Sequence, residues 1–246
     1  MSSFAPLIQT LARYRALEFH HNPQLAARLS TVQNWQKKRM QHVHAKLFAI
    51  PANQLMTQYF LNQLYGGANF NELAEQCERI LNAAKTFEGL LPTGVINTSL
   101  IATELSVLAI ELDQQLAQQL DCDLLNDEQD PAINDTKMIQ LCRSANQASA
   151  RFHQFDLLDE LANHLDKYVH SKFIHTVFKL SKGFSTRYGL HALYQFTDEG
   201  FEAMKPLKSA KSFVSAFTQG ERELIQQVYA GNPNPFERRV IARSIA

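Results

Sequence analysis

Three cysteines and a single tryptophan are the scarcest residues in this 246-residue chain. Cys77, Cys122 and Cys142 are odd in number and irregularly spaced, with no Cys-x-x-Cys, so neither a disulfide framework nor a zinc ribbon is expected. They read as reduced thiols in a reducing compartment. No stretch approaches about 18 consecutive apolar residues, so no transmembrane segment is expected. The opening MSSFAPLIQTLARYR lacks the basic start and long apolar run of a signal peptide. A cytoplasmic protein is the expectation. Excess charge is missing too: 24 basic and 24 acidic residues cancel. Nucleic-acid binders draw much of their affinity from neutralising phosphate with a basic excess, so no nucleic-acid partner is expected. Also lacking are Gly-x-Gly-x-x-Gly, a P-loop and Gly-x-Ser-x-Gly, which removes the common local signatures of nucleotide binding and serine hydrolysis. No resident cofactor is expected, and no catalytic residue can be named.

What is present is helical. The 45% hydrophobic content supports a sizeable core without a disulfide or metal staple. Asn22-Pro23 places a proline at the first helical position, where its missing N–H costs nothing. From there Leu25, Leu29, Val32, Gln36, Met40, Val43 and Leu47 recur at steps of three and four, predicting a helix over 23–48 with one polar exception. A shorter amphipathic helix over 5–19 precedes it, and Pro51 ends the long one. Asn53 is placed to cap the next helix, which closes at Tyr65-Gly66-Gly67. Asn69-Phe-Asn-Glu72 reads as a capping box. Ile101, Leu105, Leu108, Leu112, Leu116 and Leu120 form the cleanest amphipathic stripe. Further helices are predicted over 136–151, 157–181, 188–203 and 206–217, with a loop at Lys182-Gly183-Phe184. Thr218-Gln-Gly-Glu221 reads as a second capping box opening the last helix. No strand and no internal repeat is evident. The expected fold is an all-α bundle of nine or ten helices without a sheet.

One helical domain is expected over 1–235, interrupted by an acidic linker over 121–135 and followed by a basic tail over 236–246. The linker holds six acidic residues around Pro131 and no basic one. Residues 1–135 carry 9 basic and 14 acidic residues, and residues 136–246 carry 15 and 10, so the halves are electrostatically complementary.

Chemical signals are weak. His153, His164 and His175 recur every eleven residues, near one face of a continuous helix, but about three turns apart, too far to share one ion. Glu160 and His164 can pair as i, i+4 neighbours on a helix surface. Glu18-Phe-His-His21 is a lone Glu-x-x-His; with Glu104 and Glu111 it gives only part of a di-iron ligand set, because the second Glu-x-x-His is missing. No metal site is expected. Nine of the sixteen phenylalanines lie in 152–217. Phe152, Phe155, Phe173, Phe178, Phe196 and Phe201 either line an apolar pocket between short helices or simply fill the core. Lys167, Lys172, Lys179, Lys182 and Arg187 flank that region, suited to guiding an acidic headgroup or partner, or to solvating a helix face.

Tyr59-Phe-Leu-Asn-Gln-Leu-Tyr65-Gly66 resembles the signature of a family of uncharacterised proteobacterial helical proteins, named for a Phe-Phe-Leu-Glu-Glu-Leu-Tyr motif. Leu11-Ala-Arg-Tyr-Arg, Ala109-Ile-Glu-Leu-Asp113, Leu193 to Phe201, and Arg222-Glu-Leu-Ile through Gly231 fit the same resemblance. It implies a fold and no assigned activity. Where the motif has two acids, this chain has Asn62 and Gln63, which neither titrate nor hold hard cations strongly. The motif is therefore expected to be structural, with Tyr59, Phe60, Leu64 and Tyr65 packing and Gly66 turning the chain. Function is expected to be non-enzymatic binding of a protein partner or an apolar small molecule, with homodimerisation open. The rivals are an enzyme or cofactor carrier with a pocket between helices, like haem-oxygenase-like bundles, and a lipid binder.

Overall fold

The computed structural model describes residues 4–65, 70–82, 93–120, 134–169 and 171–237. Every regular element among them is helical. The order is α1 (Ala5–Arg15), α2 (Pro23–Val43), α3 (Ala45–Phe48), α4 (Gln54–Tyr59), α5 (Phe70–Asn82), α6 (Thr93–Gln118), α7 (Asp135–Ala145), α8 (Ala148–Val169), α9 (Lys172–Leu180), α10 (Lys182–Arg187), α11 (His191–Met204) and α12 (Ala210–Tyr229). Short 3₁₀ turns cover Glu18–His20 and Pro51–Asn53, and α4 runs on into a π-helical turn, Phe60–Leu64.

The central axis is α6, which packs against α1, α2, α7 and α8. With neighbours on several sides, it buries more than one stripe. Val107, Ile110, Leu112, Leu116 and Leu120 are enclosed, whereas Ile101, Leu105 and Leu108 of the predicted stripe are half-buried. By length and composition, Gly94–Gln118 (mean hydropathy 1.5) could cross a membrane. It nevertheless carries Glu104, Glu111 and Asp113, all held by arginines: Arg13 takes the first two and Arg151 the third. It packs against four other helices, and 33% of its most apolar stretch is buried.

The interior divides into two apolar clusters. One gathers α1, the first half of α2, α6, α7 and the end of α12; the other gathers α3, α4, α8, α11 and the start of α12. The crossing points are visible along single helices. On α2, Trp35 belongs to the first cluster and Met40 to the second; on α12, Phe217 belongs to the second and Leu224 to the first. Arg39 and Glu221 fall in those gaps.

Several boundaries depart from sequence expectation, and at His44 and Thr218–Glu221 a distant partner outweighs a local rule. The helix predicted over 23–48 breaks at His44, whose ring points inward to Glu221 at 2.7 Å. Asn53 does not cap α4; its side-chain amide donates to the Leu47 carbonyl at 2.9 Å, closing the helix before it. Thr218 and Glu221 open no helix, because α12 runs through both. They sit one turn apart on its buried face, and Thr218 donates to Asp159 at 2.8 Å. The predicted helix over 136–151 stops at Ala145, where Asn146 adopts the left-handed conformation (φ 49°) that ends helices. The expected loop at Lys182-Gly183-Phe184 is the start of α10.

At the end of the expected linker, Asn134 caps α7 and Asp135 is its first residue. The Asn134 side chain accepts from Lys137 N–H, and Asp135 accepts from the Trp35 indole at 2.9 Å. The remainder of that linker, 121–133, lies outside the described residues, as do Cys122, Asn69 of the first capping box, Gly66 with Gly67, and tail residues 238–246. Phe236, the first residue of the expected tail, is buried and edge-on to Trp35 at 5.6 Å.

Candidate functional site

Two regions hold the groups that could do something: a polar seam between the clusters, and the outer face of α9 and α10.

The seam begins at the motif resembled in sequence. Phe60 packs edge-on to Phe217 at 4.9 Å, Leu64 lies against the second cluster, and the Tyr59 hydroxyl donates to the Phe196 carbonyl at 2.9 Å. Asn62 is exposed and Gln63 half-buried, so the two positions where the chain departs from the motif's acids lie toward the outside. The π-helical turn closes with Tyr65 N–H donating to the Phe60 carbonyl at 2.9 Å. Tyr65 is thereby rotated into the seam, where its hydroxyl donates to Asp113 at 2.6 Å. That contact goes beyond the packing role expected for Tyr65.

Asp113, 1% exposed, also accepts from Arg151 at 2.8 Å, and Arg151 donates onward to Gln154 at 3.2 Å. Alongside, Arg39 grips Glu221 through two bonds of 2.8 and 2.7 Å, while its Nε donates to Gln36. His44 completes the set on Glu221. Burial opposes the charge on each group, and the partners reverse it. Burial alone would raise the Glu221 carboxyl, but Arg39 and His44 hold it down at about 2. Burial works against both guanidinium charges, yet Glu221 and Asp113 leave Arg39 and Arg151 with raised values. Burial and the neighbouring Asp113 push the Tyr65 phenol well up, which keeps it a donor. The two pairs also feel each other, since Arg39 acts on Tyr65 through space.

Both ion pairs join the acidic first part of the chain to the basic second: Asp113 to Arg151, and Arg39 to Glu221. The Tyr65 hydroxyl, both Asp113 oxygens, both Glu221 oxygens and all three Arg39 nitrogens are each bonded to another member of the seam. Bonds of this kind tie α2, α4, α6, α8 and α12 to one another across the bundle. Sequence reasoning passed over Arg39, His44 and Arg151, and read Glu221 as a helix-capping acid. The usable signals were the polar interruption of the α2 stripe at Gln36 and the charged end of Ala109-Ile-Glu-Leu-Asp113.

The remaining candidate groups are dispersed. Glu104 and Glu111 both serve Arg13, and Glu18 accepts from Asn22 and Gln118. His164 meets Thr98 at 3.1 Å, His175 lies against Phe201, and His153 is exposed. Among the described residues no three His, Cys, Asp or Glu side chains converge as metal ligands would. An open cleft of about 360 Å³ separates α1 from α5, lined by Ile8, Leu11, Leu81 and the Arg15–Glu78 pair.

The phenylalanines proposed as pocket walls occupy three different neighbourhoods. Phe155 is buried under the Arg222 guanidinium. Phe178 stacks on Tyr194 at 4.5 Å and meets Phe201 edge-on at 5.2 Å. Phe196 packs on Tyr59 at 5.5 Å. Phe152 is half-buried, and the Phe173 side chain lies outside the described residues.

The second region is the outer side of the Phe178–Tyr194–Phe201 group. Leu180 is 77% exposed, Val177 46% and Tyr188 41%. They are three of the six exposed large hydrophobic side chains among the described residues. Lys179, Lys182 and Arg187 project beside them, and Arg187 lies over the Tyr188 ring at 5.9 Å. From Lys167 to Thr197 the sequence holds five basic residues and no Asp or Glu.

The family described as "Domain of unknown function (DUF8198)" matches residues 16–235. No curated protein and no solved structure matches the chain.

Proposed function

Because the chain belongs to that family of unknown function, no activity comes with membership, and we propose from its own residues a non-enzymatic, cytoplasmic binding protein. The binding surface is the outer face of α9 and α10. One observation carries this reading: a stretch free of acidic residues presents Val177, Leu180 and Tyr188 to solvent beside Lys179, Lys182 and Arg187. Apolar side chains left exposed together and rimmed by charge of one sign mark interaction surfaces. The seam supports the same reading from inside. Tyr65, Asp113 and Arg151 bond one another, as do Arg39, Glu221 and His44, so the buried charges of the chain are engaged in holding its helices together.

Native against denaturing mass spectrometry, on protein purified without added cofactor, tests this. A native mass equal to that of the polypeptide, or a whole multiple of it, is expected. A stoichiometric small-molecule excess that persists in a Lys179→Glu/Lys182→Glu/Arg187→Glu variant would place the ligand inside the bundle and defeat the proposal.

A further inference from the structure

We infer that the occupant of the α9–α10 face is an anionic phospholipid surface, an inference that rests on the docking reading above. Charge is the first argument. The whole chain is neutral, yet residues 167–197 hold Lys167, Lys172, Lys179, Lys182 and Arg187 without one carboxylate. The first acid after this span, Asp198, is exposed on α11, and the nearby Glu202 is taken by Lys205. Among the described residues no carboxylate pairs with Lys179, Lys182 or Arg187. Their charge is thus available to an outside anion.

Shape is the second. The chain turns at Ser181, whose hydroxyl donates to the Phe178 carbonyl, so Leu180 ends one helix and Lys182 begins the next. A Cβ placed on Gly183 would meet nothing within 4 Å, and Lys179, Leu180, Lys182 and Gly183 are all exposed, so both sides of this turn face solvent. Its inner side is anchored by Phe178 on Tyr194 and Phe201. A protein partner seeks a broad complementary patch, about 800 Å² on each side for a stable complex. A solvent-facing turn that exposes Leu180 between Lys179 and Lys182 suits a bilayer instead. Leu180 and Val177 reach the boundary between headgroups and acyl chains, Tyr188 sits at headgroup level, and the lysine stems extend to phosphate. Each basic residue near such a surface strengthens partitioning about fivefold.

The test is co-sedimentation of the full chain with vesicles of phosphatidylcholine alone and of phosphatidylcholine with phosphatidylglycerol. Binding only to the anionic vesicles, weakened by added salt, is expected. Lys179→Glu/Lys182→Glu/Arg187→Glu should lower partitioning by at least about 100-fold. Leu180→Ser, which keeps the charge, should lower it several-fold. Lys46→Glu/Lys208→Glu/Lys211→Glu, an equal charge change at exposed positions elsewhere, should leave it within about twofold. All substituted side chains are exposed, and unchanged circular dichroism and melting temperature verify folding. Absence of vesicle binding, equal binding to neutral vesicles, or equal loss in the two triple variants overturns the lipid assignment. The docking reading is scored separately, by a photoreactive side chain at position 180. If vesicles are ignored while that probe captures an acidic protein or a second copy of this chain, only the lipid assignment falls. If it captures nothing, both fall.

Discussion

Replacing Glu221 with Gln removes one negative charge from the centre of the protein and leaves the Arg39 guanidinium facing a neutral amide. The residue is 4% exposed, so water cannot compensate. Its carboxyl stands at about 2 instead of 4.5, because Arg39 and His44 outweigh the opposing effect of burial. At about 1.4 kcal/mol per unit, the carboxylate contributes about 3 kcal/mol at neutral pH. Breaking a buried pair from one side costs about 3–5 kcal/mol, which agrees. The folded-state value is depressed, so this stability is fully present above the unfolded value of 4.5 and is lost as pH falls through about 2. Roughly half should remain at pH 3, about 1.5 kcal/mol. Urea unfolding of wild type and Glu221→Gln at pH 7 and pH 3 reads both numbers from the midpoints at constant slope. A difference below about 1 kcal/mol at pH 7 would refute the reasoning, as would one that does not shrink at pH 3. The apolar double variant Arg39→Met/Glu221→Leu should recover part of the loss, since neither charge is then stranded.

Tyr65→Phe deletes the hydroxyl that donates to Asp113 and should cost about 1.5–3 kcal/mol, whereas Asn62→Ala, in the same motif but exposed, should stay within about 0.5 kcal/mol; urea midpoints separate them. Gly200→Ala places a Cβ 3.0 Å from the Tyr59 hydroxyl and 3.1 Å from its ring, so a loss of about 1–3 kcal/mol is expected. Gly183→Ala meets nothing and should stabilise by roughly 0.5–1 kcal/mol, visible as a higher melting temperature. Burial pushes the Cys77 thiol up to about 11 and also raises Cys142, so in a Cys122→Ser variant both should label slowly with a disulfide reagent at neutral pH and rapidly in denaturant. Fast labelling of the folded variant would contradict the raised thiol values of these two half-buried cysteines.

Periodicity was enough to find most of the helices, because an amphipathic stripe records burial directly in residue spacing. The Asn22-Pro23 start of α2 was legible for the same local reason, and Asn22 does accept from the Leu25 N–H at 3.1 Å. Illegible features were those decided by residues far away in sequence. Thr218-Gln-Gly-Glu221 satisfies a capping-box pattern, yet its Thr belongs to Asp159 and its Glu to Arg39, 182 positions distant. His44 breaks α2 for a partner 177 positions on. The seam was hidden because Arg39 follows Lys37 and Lys38 and reads as part of a solvated charge run. The phenylalanine-rich stretch was visible as composition. Its division into three neighbourhoods required the packing of α8, α9, α11 and α12 to be known. The α9–α10 face was half legible: its lysines stand out, but the exposure of Leu180 does not follow from spacing.

The most direct test of an outward-facing binding function is to place a photoreactive side chain at position 180, and separately at the exposed Asn163 of α8, in cells making the full chain. Irradiation is expected to give a discrete adduct at 180 that is absent at 163 and absent when Lys179, Lys182 and Arg187 are reversed to Glu. Equal adducts at both positions, or none at 180, would contradict the assignment of this face as the working surface of the protein.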